Sequence, residues 1–251
     1  MSSPFDLSGR TAVVTGGGRG LGLGISQALL AAGADVIVLG RSALPAELIA
    51  QAADLGRAVH LHPLDLADSE AITATGAQVL AEHRIDILVN NAGTQDRYPA
   101  VDFPLDAWDR VLDINLRAVF QLCQIFGRPM LQRGDGAVVN IASLLSFQGG
   151  LTVPAYAASK GAVAQLTKAL CNEWAGKGVN VNAVAPGYMA TDMNLALLAD
   201  PVRLEQLSVR IPAGRWGQPE DIGNVVVFLA SPAAGYVHGQ VLAVDGGWLA
   251  R

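Results

Sequence analysis

The chain has 251 residues, 51% of them hydrophobic and 16% charged, with 28 glycines and a formal net charge of −5. That is enough apolar material for a sizeable core, and the length suits one large α/β domain or two small ones. The acidic balance argues against binding to a nucleic-acid backbone, which needs clustered Lys and Arg.

From the N-terminus, Met1 to Arg10 lacks the apolar core of a secretory signal, so a cytoplasmic location is expected. Short apolar runs then alternate with longer helical patterns. The strands are predicted at Thr11–Thr15, Asp35–Leu39, Ala58–Leu61, Ile85–Val89, Ala137–Ile141, Val179–Val184 and Val241–Val244. They are rich in Val and Ile and lack polar alternation, as expected for parallel strands covered on both faces. Helices are predicted at Gly20–Ala32, Leu44–Leu55, Ser69–His83, Leu105–Gln132, Pro154–Gly176 and Pro219–Ala230. Regular strand–helix alternation implies βαβ units and a doubly wound sheet of about seven strands with helices on both faces. No linker or repeat interrupts the chain, so residues 1–251 are expected to form one Rossmann-like domain.

The segment from Gly187 to Gly217 breaks this rhythm. It carries short helical patterns of its own at Asn194–Ala199 and Val202–Leu207, and it is expected to act as a substrate lid. The longest charge-free stretch, between Asp135 and Lys160, is interrupted by Asn140, Gln148, Gly149, Gly150 and Pro154 and is not a membrane span. Cys123 and Cys171 lie in apolar helical surroundings with no metal-ligand spacing, so both are expected to be buried hydrophobes, and no metal is expected.

Thr15-Gly-Gly-Gly-Arg-Gly-Leu-Gly22 follows a strand and opens a helix. Glycines at Gly16, Gly20 and Gly22 let the backbone turn sharply and bring a pyrophosphate onto the helix N-terminus, with Leu21 between them. The second strand ends in Leu39-Gly40-Arg41-Ser42, with no carboxylate to hold a ribose or repel a phosphate. Arg19 and Arg41 from adjacent loops could clamp a 2′-phosphate, so NADP is preferred over NAD. Asp65 and Leu66 follow the third strand, where a carboxylate can meet an adenine amino group. Asn91, Ala92 and Gly93 follow the fourth, where small residues let the backbone pass close to a ribose.

Tyr156 and Lys160 are four residues apart, one helical turn, and so share a face. A cationic amine beside a phenol favours the phenolate, so Lys160 is expected to lower the tyrosine pKa. Ser143 ends the fifth strand, and Asn115, a poor helix former, sits inside a long predicted helix.

Together with Pro186-Gly187, these motifs resemble the classical short-chain dehydrogenase/reductase family, from about Leu7 to the C-terminus. The resemblance implies that Tyr156 is the general acid/base and that Lys160 tunes it and binds the nicotinamide ribose. It further implies that Ser143 orients the substrate oxygen, that Asn115 holds a water leading from Lys160 to solvent, and that Pro186, Gly187 and Thr191 flank the nicotinamide. A homotetramer built on the helices Leu105–Gln132 and Pro154–Gly176 is implied, with the tail around Trp248 at another interface.

Within the family, Ser143 to Gly150, Asn172 to Ala175, Ala185 to Thr191, Ile211 to Gly217 and Ala243 to Arg251 resemble bacterial sugar-acid dehydrogenases acting on 2-dehydro-3-deoxy-D-gluconate or 2-deoxy-D-gluconate. This implies a small-molecule substrate with a carboxylate. Arg97 is the expected partner for it, with Arg210 and Arg215 as second choices and Gln148 on a hydroxyl. The alternatives are a 3-oxoacyl-carrier-protein reductase or another polyol or ketone reductase, the former docking on Arg128 and Arg133, and a dinucleotide-sensing regulator without catalysis.

Overall fold

The computed structural model describes residues 3–191, 194, 197 and 199–251. Seven strands form one parallel sheet: β1 (Thr11–Thr15), β2 (Asp35–Gly40), β3 (Val59–Pro63), β4 (Ile87–Asn90), β5 (Gly136–Ile141), β6 (Val179–Pro186) and β7 (Val241–Val244). Their spatial order is β3-β2-β1-β4-β5-β6-β7. Among the described residues the α-helices are α1 (Gly20–Ala31), α2 (Ala46–Asp54), α3 (Ser69–Glu82), α4 (Leu105–Leu112), α5 (Ala118–Arg133), α6 (Pro154–Trp174), α7 (Pro201–Ser208) and α8 (Pro219–Ala230).

The alternation of each strand feeds two cores. Ala12 and Val14 of β1 and Val36 and Val38 of β2 pack with Ile25, Leu29, Ile222 and Val226 of α1 and α8. Val13, Ile37 and Leu39, from the same strands, face Ile72 and Val79 of α3 and Phe126 of α5. Both faces are covered, so the strands read as continuous apolar runs.

Topology places the site. After β3 the chain returns to the other side of β1, where β4 pairs in parallel with Ala12↔Ile87 in register. The loops after β1 and β4 therefore diverge and leave a crevice at the carboxyl ends of the strands, the usual binding place in doubly wound sheets.

The helix predicted over Leu105–Gln132 is not one regular helix. It divides into α4 and α5 around a π-helical turn, Asp113–Arg117. Boundary shifts elsewhere are small, except that β3 and β4 each begin later and run further than expected. The lid pattern at Val202–Leu207 is α7, capped by Asp200, whose side chain accepts from the backbone N–H groups of Val202 and Arg203. The pattern at Asn194–Ala199 lies partly outside the described residues.

Trp248, in the tail expected at an interface between copies, is 5% exposed within its own chain. It packs in a small core with Leu144, Ile211 and Trp216 that joins the C-terminal tail to the segment between β6 and α8. Cys123 is fully buried and Cys171 only partly so. Burial pushes the Cys123 thiol up to about 12, against a hydrogen bond from Asn90, which leaves it inert. No described helix is long and apolar enough to cross a membrane.

Candidate active site

The glycine loop is shaped by contact rather than by flexibility alone. A Cβ on Gly22 would sit 2.0 Å from the Gly16 carbonyl oxygen, so α1 can approach the loop this closely only with glycine there. Gly16 itself has φ +66°, a left-handed conformation. These glycines form a cradle at the N-terminus of α1, whose N-cap is Arg19. The cradle leaves backbone N–H groups and the positive end of the helix facing the crevice, a fit to a pyrophosphate.

Thr15 ties the loop to the end of β4. Its Oγ1 accepts from the N–H groups of Asn91 and Ala92, each at 2.9 Å, while Asn91 Nδ2 donates to the Thr15 carbonyl at 2.9 Å. In the sequence Thr15 opens the glycine motif, but its tie to the loop after β4 shows only in the fold. Asn90 points the other way, donating to Asn140 Oδ1 at 2.9 Å in the core. Leu66 packs beside the α3 core. Arg41 and Asp65, both exposed, face each other at 3.7 Å, and Arg19 is exposed on the neighbouring loop.

At the carboxyl end of β5, Ser143 caps a short turn, its Oγ accepting from the Leu145 N–H at 3.1 Å. Tyr156 and Lys160 come from the first turns of α6, which Pro154 opens. Lys160 is 4% exposed, and its Nζ donates to the Ile141 carbonyl at 2.6 Å. The ammonium lies 5.7 Å from the Tyr156 ring centre.

The expected lowering of the tyrosine pKa is corrected here. Burial pushes the Tyr156 phenol above its ordinary value, and a hydrogen bond with Ser143 only partly opposes this. The amine is drawn to Ile141, and burial brings Lys160 itself down to about 8.

Asn115 is fully buried in the π-turn, a distortion that recurs at functional sites. Its Oδ1 accepts from the Thr94 N–H at 2.8 Å, and its Nδ2 donates to the Thr94 carbonyl at 2.9 Å and to Ser159 Oγ at 3.1 Å. Ser159 in turn donates to the Tyr156 carbonyl at 2.8 Å. Both amide hydrogens are thus committed to protein, and the Asn115 side chain positions the loop after β4. Thr94 and Ser159 were missed in sequence, because each acts only once the π-turn brings Asn115 to it. Gly93 passes between these groups: a Cβ there would lie 3.3 Å from Asn115 Oδ1 and 3.7 Å from Lys160 Nζ.

Thr191 hangs over the glycine loop, its Cβ 3.9 Å from where a Gly20 Cβ would be. Pro186 ends β6, and Gly187 continues the pairing by donating to the Val244 carbonyl at 2.9 Å. The start of the segment after β6 therefore stands beside the N-terminus of α1.

Arg97 and Gln148 lie on exposed loops that meet where Tyr98 N–H donates to the Thr152 carbonyl at 3.0 Å. Asp96 pairs with Arg110 at 2.7 Å, and Arg97 is exposed. The second choices have partners within the chain. Arg215 donates to both oxygens of Asp221 at 2.7 and 2.9 Å, which with the Gln218 N–H holds that carboxyl down at about 2. The Arg210 guanidinium sits 3.9 Å from the Trp248 ring centre. Arg133 turns inward to the Ile85 carbonyl and Asp86, which removes it from the basic patch expected with Arg128.

The fold and this constellation define a dinucleotide-dependent oxidoreductase. A family model described as enoyl-(acyl carrier protein) reductase matches residues 16–249. The chain belongs to the short-chain dehydrogenase/reductase family and is an NAD(P)-dependent oxidoreductase.

Among individual proteins, it is 52% identical over 247 residues to 2-dehydro-3-deoxy-D-gluconate 5-dehydrogenase of Bacillus subtilis, covering 98% of this chain and 97% of that one. A solved structure from Beutenbergia cavernae, with NADP bound at low occupancy, aligns with TM-score 0.95 and 52% identity over 99% of this chain and 100% of that one. A gluconate 5-dehydrogenase from Burkholderia cenocepacia, in complex with NADP and tartrate, aligns with TM-score 0.93 and 41% identity over 99% and 98% of the two chains.

Proposed function

We propose that the chain exchanges a hydride between NADP(H) and a secondary alcohol or ketone of a sugar acid such as 2-dehydro-3-deoxy-D-gluconate or 2-deoxy-D-gluconate. The observation that carries this reading is the meeting of Ser143, Tyr156 and Lys160 at the end of β5, facing a glycine cradle that fits a pyrophosphate. The Bacillus relative's name supplies the substrate class, and the NADP-bound neighbours support the cofactor.

Bound NADP(H) supplies or accepts the hydride. Tyr156 Oη gives a proton to the substrate oxygen in reduction and takes one in oxidation. Its raised pKa keeps the phenol protonated, the form that reduction needs; oxidation needs the positive charge of Lys160 to favour the phenolate. Ser143 donates to the same substrate oxygen and fixes its direction. Asn115 holds the Gly93–Thr94 backbone against Lys160, so the amine stays between α6 and the end of β5.

Gly16, Gly20, Leu21 and Gly22 bind the pyrophosphate, and Arg19 and Arg41 take the 2′-phosphate. Asp65 and Leu66 border the adenine. Asn91, Ala92, Gly93 and Lys160 border the riboses, and Pro186, Gly187 and Thr191 flank the nicotinamide. Arg97 takes the substrate carboxylate, Gln148 a hydroxyl, and residues 187–217 close over them.

The reading includes a homotetramer assembled through α4, α5 and α6, where Leu112, Leu116, Phe120 and Leu166 line an apolar cleft. It also includes a cytoplasmic location, where free Cys123 and Cys171 stay reduced.

The test is steady-state turnover of 2-dehydro-3-deoxygluconate, neutral polyols and acetoacetyl thioesters with each cofactor, beside the Tyr156→Phe variant. The sugar acid with NADP is expected to be the best pair, and the variant should bind NADPH normally while losing turnover. Preference for the thioester would replace the substrate class, and an active variant would remove Tyr156 from its role.

A further inference from the structure

We propose that His62, Glu82 and His83 form a binding site for a late first-row divalent cation, with zinc as the reference ion. The site lies at the outer edge of the sheet, away from the crevice, and is independent of the oxidoreductase reading.

Strand periodicity builds the first half. Val59 and Leu61 of β3 pack toward the α1 core, so His60 and His62 project to the opposite face, where α3 lies. The second half is the end of α3. Glu82 is its last residue, and His83 is its C-cap with φ −140° and ψ 144°, an extended conformation that turns the imidazole away from the helix axis. The three side chains converge, with one ligand atom from each lying within 4.8 Å of the others. His62 Nε2 is 3.9 Å and His83 Nε2 3.8 Å from the same oxygen, Glu82 Oε2. Both separations are too long for hydrogen bonds but suit groups sharing a metal.

A point equidistant from three atoms so placed lies no more than roughly 2.5 Å from each, so a shift of about 0.5 Å per side chain reaches zinc's usual 2.0–2.2 Å for imidazole and carboxylate ligands. The ligand set of two imidazoles and one carboxylate favours zinc and its neighbours over magnesium or calcium, which prefer all-oxygen shells. His62 is the most enclosed, its side chain 12% exposed, while His83 at 28% and Glu82 at 47% leave a fourth position open to water. His60 stacks on His83 with ring centres 5.4 Å apart, a third imidazole against the cluster. Three of the chain's four histidines thus gather at one place.

Such an ion would clip the edge strand β3 to the end of α3. Among the described residues β3 pairs on one side only, with β2, which makes it an edge strand. The strand runs directly into Leu64, Asp65 and Leu66, so the clip would fix the base of that wall of the crevice.

The test uses the full chain, stripped with chelator and titrated with zinc chloride by calorimetry in a non-coordinating buffer, with thermal unfolding alongside. One ion per chain at micromolar affinity or tighter, with a raised Tm, is expected. The double variant His62→Gln/His83→Gln should weaken zinc by at least about tenfold and lose the Tm shift, with its circular dichroism and turnover unchanged. Should the double variant fold poorly, Glu82→Gln, which changes an exposed carboxylate, should show the same loss. Millimolar binding by the parent chain, or undiminished affinity in a folded variant, overturns the site.

Discussion

Asn115 grips both backbone polar groups of Thr94, accepting from its N–H at 2.8 Å and donating to its carbonyl at 2.9 Å. Because Gly93 lies beside Lys160 Nζ, this grip sets the wall against which the lysine rests. Asn115→Ala leaves two backbone groups without partners and should cost about 1–3 kcal/mol of stability. Displacing the loop by about 1 Å should lower kcat by roughly 100-fold. A purely structural role would lower Tm and spare kcat per folded molecule. Active-site titration with NADPH, combined with turnover, separates the two outcomes.

Lys160 links the site to stability. Its pKa is about 8 in the fold against an ordinary 10.5, so below pH 8 the folded chain carries a buried charge that the unfolded chain carries in water. Between those values the unfolded state binds more protons, and stability rises with pH. The free energy of unfolding of the parent chain relative to Lys160→Met should therefore increase by roughly 2–3 kcal/mol from pH 7 to pH 10. Urea unfolding at fixed ionic strength measures it. A pH-independent difference would mean that Lys160 has an ordinary pKa.

The contrast between these residues shows what the chain discloses. Tyr156, Lys160 and the glycine loop are local patterns: one helical turn and one strand-to-helix turn put their groups together whatever lies elsewhere. The π-turn at Asp113–Arg117 has no such signature, since Asp113-Ile-Asn-Leu-Arg117 reads as ordinary helix and the extra residue per turn is held by tertiary contacts to Thr94 and Ser159. The sign of the tyrosine shift was likewise hidden, because spacing reports proximity to Lys160 but not the competing pull of the Ile141 carbonyl or the burial around both. Arg215 looked like a ligand residue until the fold brought its two donors onto Asp221.

Arg97 offers the sharpest probe of the substrate. It is exposed, while its neighbour Asp96 is engaged by Arg110. A charge-assisted hydrogen bond to a carboxylate is worth about 1.5–3 kcal/mol, so Arg97→Met should raise KM for a sugar acid by roughly 10–100-fold. KM for a neutral polyol of similar size should not move. Equal changes for both substrates would assign Arg97 to loop structure and leave the carboxylate without this partner.

The cofactor prediction turns on Arg41. Its only ion pair among the described residues is with Asp65 at 3.7 Å, and both side chains are largely in water. Such exposed pairs contribute at most about 1 kcal/mol, so a 2′-phosphate can draw the guanidinium away at little cost. Bidentate binding of that phosphate suits arginine, and Arg19 stands on the adjoining loop to share it. Arg41→Asp replaces an attraction with a repulsion against the phosphate alone, and it leaves Asp65 beside a second carboxylate. The dissociation constant for NADPH should rise by about 100-fold or more while that for NADH changes by less than about threefold, measured by nucleotide fluorescence. Equal weakening of both nucleotides would place Arg41 outside the phosphate site and shift the preference for NADP onto Arg19.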